Sequence, residues 1–257
     1  MKENPSSARF DRLAENFATS EVHRSSPTIQ RLHSLLDFTG PFSVCDVACG
    51  AGHLALSFQG AAARIVGVDP APNMLRAFEK LAADRGLEVE TLCAWAEDIP
   101  LPSTSFNLVV SRLAPHHFSD VERALSEMTR LARSGGYVAV IDLEGYEDPA
   151  VDDFNHRLEM LHDPTHVRSY RPSRWRSIFE QAGLRALHME TGLSERPQGL
   201  TVARWCEIAS SGTEAEVEIR KLLRQAPAGM LAALSIRREG AEFVVPARTL
   251  LIMGNKP

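Results

Sequence analysis

Long hydrophobic runs are missing from this chain. None approaches the roughly 20 apolar residues that a membrane-spanning helix needs, and the opening Met1 to Arg12 is polar, without a signal-peptide core. A cytoplasmic protein with no membrane partner is expected. Cysteine is scarce: Cys45, Cys49, Cys93 and Cys206 form no CxxC pair, and three of them lie in or beside apolar stretches. Reduced, non-catalytic thiols are therefore expected in place of a disulfide frame. Excess positive charge is absent too, since 28 Lys and Arg against 33 Asp and Glu give a formal net charge of −5. That balance lacks the electrostatic footprint of a protein that grips bare nucleic acid. Neither a GxSxG elbow nor an HExxH pair occurs, which argues against the hydrolases built on those motifs. His162 and His166 are four apart, but Pro164 between them breaks the helix that would align their rings. No metal is expected there.

With 257 residues and 24% charged side chains, the chain is long enough for one large globular domain or one domain with a cap. From Phe42 onward, β-branched runs alternate with segments of helical period, the pattern of a parallel sheet covered on both faces. Phe42 to Ala48 (FSVCDVA) reads as a strand running into a glycine turn, with a helix starting near Gly52; Arg64 to Asp69 (RIVGVD) is the next strand. Met74, Leu75, Phe78, Leu81 and Ala82 share a helix face that ends at Gly86, and Leu87 to Cys93 is expected to be strand three. Phe106 to Ser111 (FNLVVS) and Tyr137 to Leu143 (YVAVIDL) are strands four and five, joined by a helix with a capping box at Ser119 and Glu122 and a stop at Gly135 and Gly136. A sixth strand over Leu184 to Met189 and a last one over Arg248 to Met253 are also expected, with a second capping box at Thr213 and Glu216.

Three regions follow from this pattern: residues 1–40 as an N-terminal helical cover, 41–145 as an α/β ligand-binding core, and 146–257 as helical lid insertions plus the last strands. Open α/β sheets bind ligands outside the carboxyl ends of their strands. Gly50-Ala51-Gly52-His53-Leu54-Ala55 fits the G-x-G-x-x-G/A turn, and Asp69 stands where an acid would take ribose hydroxyls. Asp46, just before that turn, separates the candidate ligands. A pyrophosphate favours helix amides with no anion near it, whereas a ligand carrying an ammonium and a sulfonium is attracted by the acid. S-adenosylmethionine has both cations, a ribose and no phosphate.

The run VCDVACGAGHLA, then GVDP with NML, then AEDIPLPSTSFNLVVSRLAPHHFSD, resembles the consecutive motifs of class I S-adenosylmethionine-dependent methyltransferases. It is most similar to the methyltransferase type 11 group, which includes the ubiquinone/menaquinone biosynthesis C-methyltransferases and many bacterial small-molecule methyltransferases. The likeness is close from Val44 to Leu143, and the later YEDP and DPTHVRSY resemble one bacterial subgroup. It implies an α/β, Rossmann-like class I methyltransferase fold: a mostly parallel seven-stranded sheet with helical lid insertions. It implies S-adenosylmethionine as cofactor and a small-molecule methyl acceptor, with no nucleic acid.

Carried over position by position, the resemblance puts Asp46, Ala48, Cys49, Gly50 and Gly52 around the methionine portion of the cofactor. Asp69 meets the ribose, with Pro70 and Met74 beside ribose and adenine; Trp95, Ala96 and Glu97 border the adenine; Ser111 and Arg112 meet the amino acid end, largely through backbone carbonyls. Three positions depart from the family pattern. Ala48 stands for the usual glycine, which suits only a backbone that avoids positive φ. Trp95 stands where an aspartate often binds adenine, and Asn107 replaces the acid common in strand four.

His116 and His117, just past strand four, are candidate proton acceptors, and Tyr146, beyond strand five, is a third catalytic candidate. Phe10 and Phe17 are expected to cover the site from the N-terminal side, and Asp163, His166 and Arg168 to reach substrate from the lid. Two other functions stay open at this point: a non-catalytic S-adenosylmethionine-binding protein, which Ala48 and Trp95 would favour, and an NAD-dependent oxidoreductase, which leaves Asp46 unexplained.

Overall fold

The computed structural model describes residues 5–19, 26–38 and 40–257. Seven strands form one sheet: β1 (Phe42–Val47), β2 (Ala62–Val68), β3 (Glu90–Leu92), β4 (Phe106–Arg112), β5 (Ala132–Leu143), β6 (Arg185–Ser194) and, at the end of the chain, β10 (Arg248–Asn255). Their order is β3-β2-β1-β4-β5-β10-β6. Every pair from β3 to β5 is parallel, while β10 runs antiparallel to both β5 and β6. The order reverses between β1 and β4, which opens a crevice at their carboxyl ends.

Alternation along each strand divides the core into two layers. Cys45, Val47, Val109, Val138 and Val140 face one side, packed with Leu125 and Met128 of α5 (Val121–Leu131) and Trp175, Ile178 and Phe179 of α7 (Pro172–Gln181). Val44, Leu108, Val110, Ala139 and Ile141 face the other, where α2 (Pro27–Leu35) adds Ile29 and Leu32. Strands buried on both faces read as unbroken apolar runs, which is why FNLVVS and YVAVIDL are so legible.

Local boundaries differ from the sequence reading at identifiable points. The helix after the glycine turn, α3 (His53–Leu56), is a single turn. The start of α5 is capped by Asp120, whose carboxylate accepts the Arg123 N–H at 2.9 Å, and not by Ser119. Gly135 and Gly136 lie inside β5, because the strand already begins at Ala132. Helix α9 (Thr213–Gln225) is preceded by Gly212 and has no side-chain cap, so the Thr213 and Glu216 box does not form.

The insertion between β6 and β10 holds α8 (Val202–Ala209), α9 and α10 (Ala228–Ala233), together with a three-stranded sheet missed by the sequence reading: β7 (Leu200–Thr201), β8 (Arg237–Glu239) and β9 (Glu242–Val245), ordered β7-β9-β8. With α6 (Pro149–His162) it builds its own apolar core from Val151, Leu158, Val202, Ile219, Leu223 and Phe243. Helix α1 (Pro5–Thr19) lies along α4 (Pro72–Ala83), tied by the Asp11 carboxylate, which accepts the Asn73 backbone N–H at 2.7 Å and its side-chain amide at 2.8 Å. No helix among the described residues is long and apolar enough to cross a membrane.

Candidate functional site

The turn between β1 and α3 holds three residues in the left-handed region: Ala48 (φ 55°), Gly50 (φ 52°) and Gly52 (φ 79°). Ala48 therefore adopts the conformation the sequence reading required it to avoid, at the strain cost of a β-carbon there. The Cys49 N–H donates to the Val68 carbonyl at 3.0 Å, and the Gly52 N–H to the Cys49 carbonyl at 2.9 Å, which locks the turn between β1 and β2. Gly52 has no room for a side chain: a β-carbon would sit 2.0 Å from the Phe78 ring.

Two buried carboxylates flank this turn. Asp46 is 1% exposed, and its Oδ2 accepts the Ala55 N–H at 3.1 Å. Burial pushes its carboxyl up to about 7, against the pull of that hydrogen bond and of Arg112. Asp69 is 7% exposed; Oδ2 accepts the Gly50 N–H at 2.8 Å and Oδ1 the Ala71 N–H at 2.9 Å. Burial raises it to about 6. Each Asp69 oxygen uses one lone pair on the backbone and keeps another for a hydroxyl.

A cavity enclosing about 960 Å³, mouth included, opens over the turn. Of the expected cofactor residues, Asp46, Ala48, Cys49, Gly50, Asp69, Pro70, Met74, Trp95, Ala96, Glu97 and Arg112 line it. Gly52 and Ser111 do not: Gly52 shapes the turn from beneath, and the Ser111 hydroxyl is buried without a hydrogen-bond partner among the described residues. Glu97 borders the cavity, but its carboxylate is spent elsewhere. Oε1 accepts the Ser119 N–H at 2.9 Å, the Ser119 hydroxyl at 2.8 Å and the Asp120 N–H at 3.2 Å, so it pins the start of α5. Asn107 likewise serves the sheet, its Oδ1 accepting the Ser43 N–H at 3.0 Å.

Ser6, Ser7 and Phe10 of α1, His53 and Leu54 of α3, and Leu113, Ala114 and Phe118 after β4 also line the cavity. Sequence reasoning reached only Phe10 among these. No periodicity signals that α1 folds across the mouth; the link is made in three dimensions, by the Ser7 hydroxyl on the Pro70 carbonyl at 3.1 Å and by Arg9 on the Ala209 carbonyl and, at 3.3 Å, Asp163. The Phe17 side chain lies outside the described residues.

The two histidines after β4 separate. His117 lines the cavity with Phe10 edge-on to its ring at 4.9 Å. Its Nδ1 lies 3.0 Å from the Thr165 carbonyl, a pairing that requires the proton on Nδ1, and its Nε2 lies 4.0 Å from Asp163 Oδ2. His116 is buried behind it, Nδ1 at 2.6 Å from Asp142 Oδ1. Burial drives His116 down to about 4 and holds His117 well below the usual histidine range, so both stay neutral at physiological pH.

The lid residues expected to reach substrate are turned to other tasks. Arg168 is ion-paired with Asp152 and does not line the cavity. His166 is buried between His116 and His156, ring centroids at 5.3 and 5.6 Å. Asp163 accepts the Thr165 N–H at 2.8 Å and hydroxyl at 2.6 Å; although burial opposes it, these bonds keep its carboxyl below the usual range. Tyr146 lies in a second cavity, of about 600 Å³, with Glu159, His162, Trp205 and Arg248. Among the described residues no cluster of three or more His, Cys, Asp or Glu side chains could hold a metal.

The donor set fits one kind of ligand. Two desolvated acids destabilise an anion beside them, and the short α3 already gives its Ala55 N–H to Asp46. A cationic, ribose-bearing ligand is matched. This sheet, with its last strand inserted antiparallel between β5 and β6 and acids at the ends of β1 and β2, defines a Rossmann-like methyltransferase that uses S-adenosylmethionine.

Comparisons with known proteins give the family. The sequence profile described as a methyltransferase domain matches residues 45–140. The uncharacterized methyltransferase YcgJ of Bacillus subtilis is 32% identical over 171 residues, covering 66% of this chain and 68% of that protein. A demethylmenaquinone methyltransferase of Thermus thermophilus is 38% identical over 104 residues, 40% of this chain and 47% of that protein. Among solved structures, a putative methyltransferase of Bacillus halodurans superposes with a TM-score of 0.84 at 25% identity, covering 89% of this chain and 98% of its own. The YcgJ structure gives 0.81 at 27% identity, covering 89% and 97%. The chain belongs to this methyltransferase family.

Proposed function

We propose that this protein transfers the methyl group of S-adenosylmethionine to an O, N, S or C nucleophile of a small molecule. The observation that carries the reading is the cavity itself: two buried acids, a glycine turn and apolar walls at the carboxyl ends of β1, β2 and β4. When bound, the cofactor supplies a methyl carbon already activated by its sulfonium. Asp69 would take the ribose hydroxyls on its two remaining lone pairs, with Pro70 and Met74 alongside. Trp95 and Ala96 would border the adenine, and Asp46 would face the cationic amino acid end.

What the protein adds to an activated methyl group is alignment and dryness. Phe10, Leu113 and Phe118 give the cavity an apolar wall, and α1 crosses its mouth under the ties to Pro70 and Asp163. His117 is the proton acceptor we assign, because it lines the cavity, is neutral, and is held there through Nδ1 by the Thr165 carbonyl. A nucleophile that arrives deprotonated would not need it. We assign His116 to holding the loop, not to touching substrate, because its ring is committed to Asp142. The 1–40 segment and the insertions of 146–257 act in this reading as cover and lid for the 41–145 core, in a cytoplasmic enzyme.

The test is to supply the donor with a labelled methyl group to the protein together with a bacterial extract, and then to separate small molecules, proteins and nucleic acids. Label in the small-molecule fraction is the expected result. Label confined to protein or nucleic acid would overturn the acceptor class, and no label beyond a protein-free control would overturn catalysis.

A further inference from the structure

Arg112, the last residue of β4, lines the cofactor cavity with a side chain only 5% exposed. Its Nη2 lies 2.8 Å from Glu195 Oε2, and Glu195, at the end of β6, is 3% exposed. The pair is lopsided. Glu195 also accepts the Ser26 hydroxyl, and the Thr28 hydroxyl at 2.6 Å, so its charge is well satisfied. The guanidinium makes no other hydrogen bond among the described residues, and its Nε is buried with no partner. A guanidinium that borders a cavity with hydrogen-bonding capacity to spare is suited to an anionic oxygen.

The position supplies the rest. Asp46 pairs with Val110 across β1 and β4, and Arg112 stands two residues beyond Val110, on the same side of its strand. A buried anion and a buried cation thus border one end of the cavity, close enough that Arg112 lowers the pull of burial on Asp46. An amino acid zwitterion is the ligand with matching charges. We infer that the guanidinium of Arg112, oriented by Glu195 with Ser26 and Thr28, is the receptor for the carboxylate of the cofactor's amino acid end. The inference rests on the cofactor reading above and assigns the role to the side chain, where the sequence had suggested backbone carbonyls. Glu195 is then a positioning residue, and its two hydroxyl partners tie the receptor to the start of α2, where the Ser26 hydroxyl also accepts the Thr28 N–H at 3.1 Å.

The experiment is calorimetric titration of the full chain, freed of bound ligand, with S-adenosylmethionine, its decarboxylated form and 5′-methylthioadenosine, which lacks the amino acid altogether. A charged hydrogen-bonded pair of this kind is worth roughly tenfold to a hundredfold in affinity. The wild-type chain is expected to prefer the carboxylated ligand by about that factor. Arg112→Met should bring the two to within threefold while leaving 5′-methylthioadenosine unchanged. Glu195→Gln should reduce the preference by several-fold, again with 5′-methylthioadenosine unchanged, a ratio that mere loosening of the fold would not move. Equal wild-type affinity for the two ligands, with 5′-methylthioadenosine bound, would overturn the role of Arg112 and leave the cofactor cavity standing. No binding of any of the three would overturn both.

Discussion

Replacing Asp46 with asparagine separates what the site needs from what the fold tolerates. In the folded protein burial raises this carboxyl from 3.8 to about 7, and moving a titration by one pH unit takes about 1.36 kcal/mol. The ionised carboxylate therefore costs the folded state on the order of 4 kcal/mol at pH 8. The sign follows from proton counts: between about pH 4 and pH 7 the folded chain holds a proton that the unfolded chain has released, so stability falls as pH rises through this window and levels off above it. Asparagine keeps an oxygen to accept the Ala55 N–H but carries no charge. The rise to about 7 is already net of that bond, which pulls the carboxyl the other way. Asp46→Asn is thus expected to be more stable than wild type by about 4 kcal/mol at pH 8, with the difference shrinking towards zero near pH 4. Urea unfolding of the ligand-free proteins at pH 4.5 and pH 8 reads this directly, and S-adenosylmethionine affinity should drop at least tenfold in the same variant. If Asp46→Asn were no more stable at pH 8 than at pH 4.5 relative to wild type, the buried-charge account would fail.

Asp69→Ala should weaken S-adenosylmethionine binding more than tenfold in calorimetry while circular dichroism stays native; unchanged affinity would remove its ribose role. Gly52→Ala places a β-carbon 2.0 Å from Phe78 at a positive φ, so a loss of about 2–5 kcal/mol is expected in chemical denaturation, partly restored by Phe78→Leu in the double variant. Once an acceptor is known, His117→Ala should lower kcat for an acceptor that arrives protonated, and His116→Ala should act mainly through stability. Because burial holds His117 well below its ordinary range, kcat at saturating cofactor should be flat from pH 6 to 8; a step there would implicate another base.

The sheet was legible because its strands are buried on both faces: FSVCDV, FNLVVS and YVAVIDL have no polar alternation to obscure them. Errors gathered where a local signal competed with a tertiary one. Ser119 looked like a cap until Glu97 claimed its hydroxyl, and Gly135-Gly136 looked like a helix stop although the chain was already extended from Ala132. The small sheet of the insertion escaped because β7 and β8 are two and three residues long, too short for periodicity to register. The turn and Asp69 could be placed from sequence since neighbours in sequence build them. The Arg112–Glu195 pair could not, since 83 residues separate its members. Glu97 and Arg168 show the opposite case, where the residue type suits a ligand and the fold spends the side chain on Ser119 or Asp152.

The central claim is that the acid-flanked turn selects a cationic sulfur nucleoside over a pyrophosphate. Parallel calorimetric titrations of the ligand-free protein with S-adenosylmethionine, S-adenosylhomocysteine and NAD test it most directly. Micromolar binding of the two sulfur nucleosides with none of NAD is the predicted result; binding of NAD alone would mean that Asp46 does not do what its burial and position indicate.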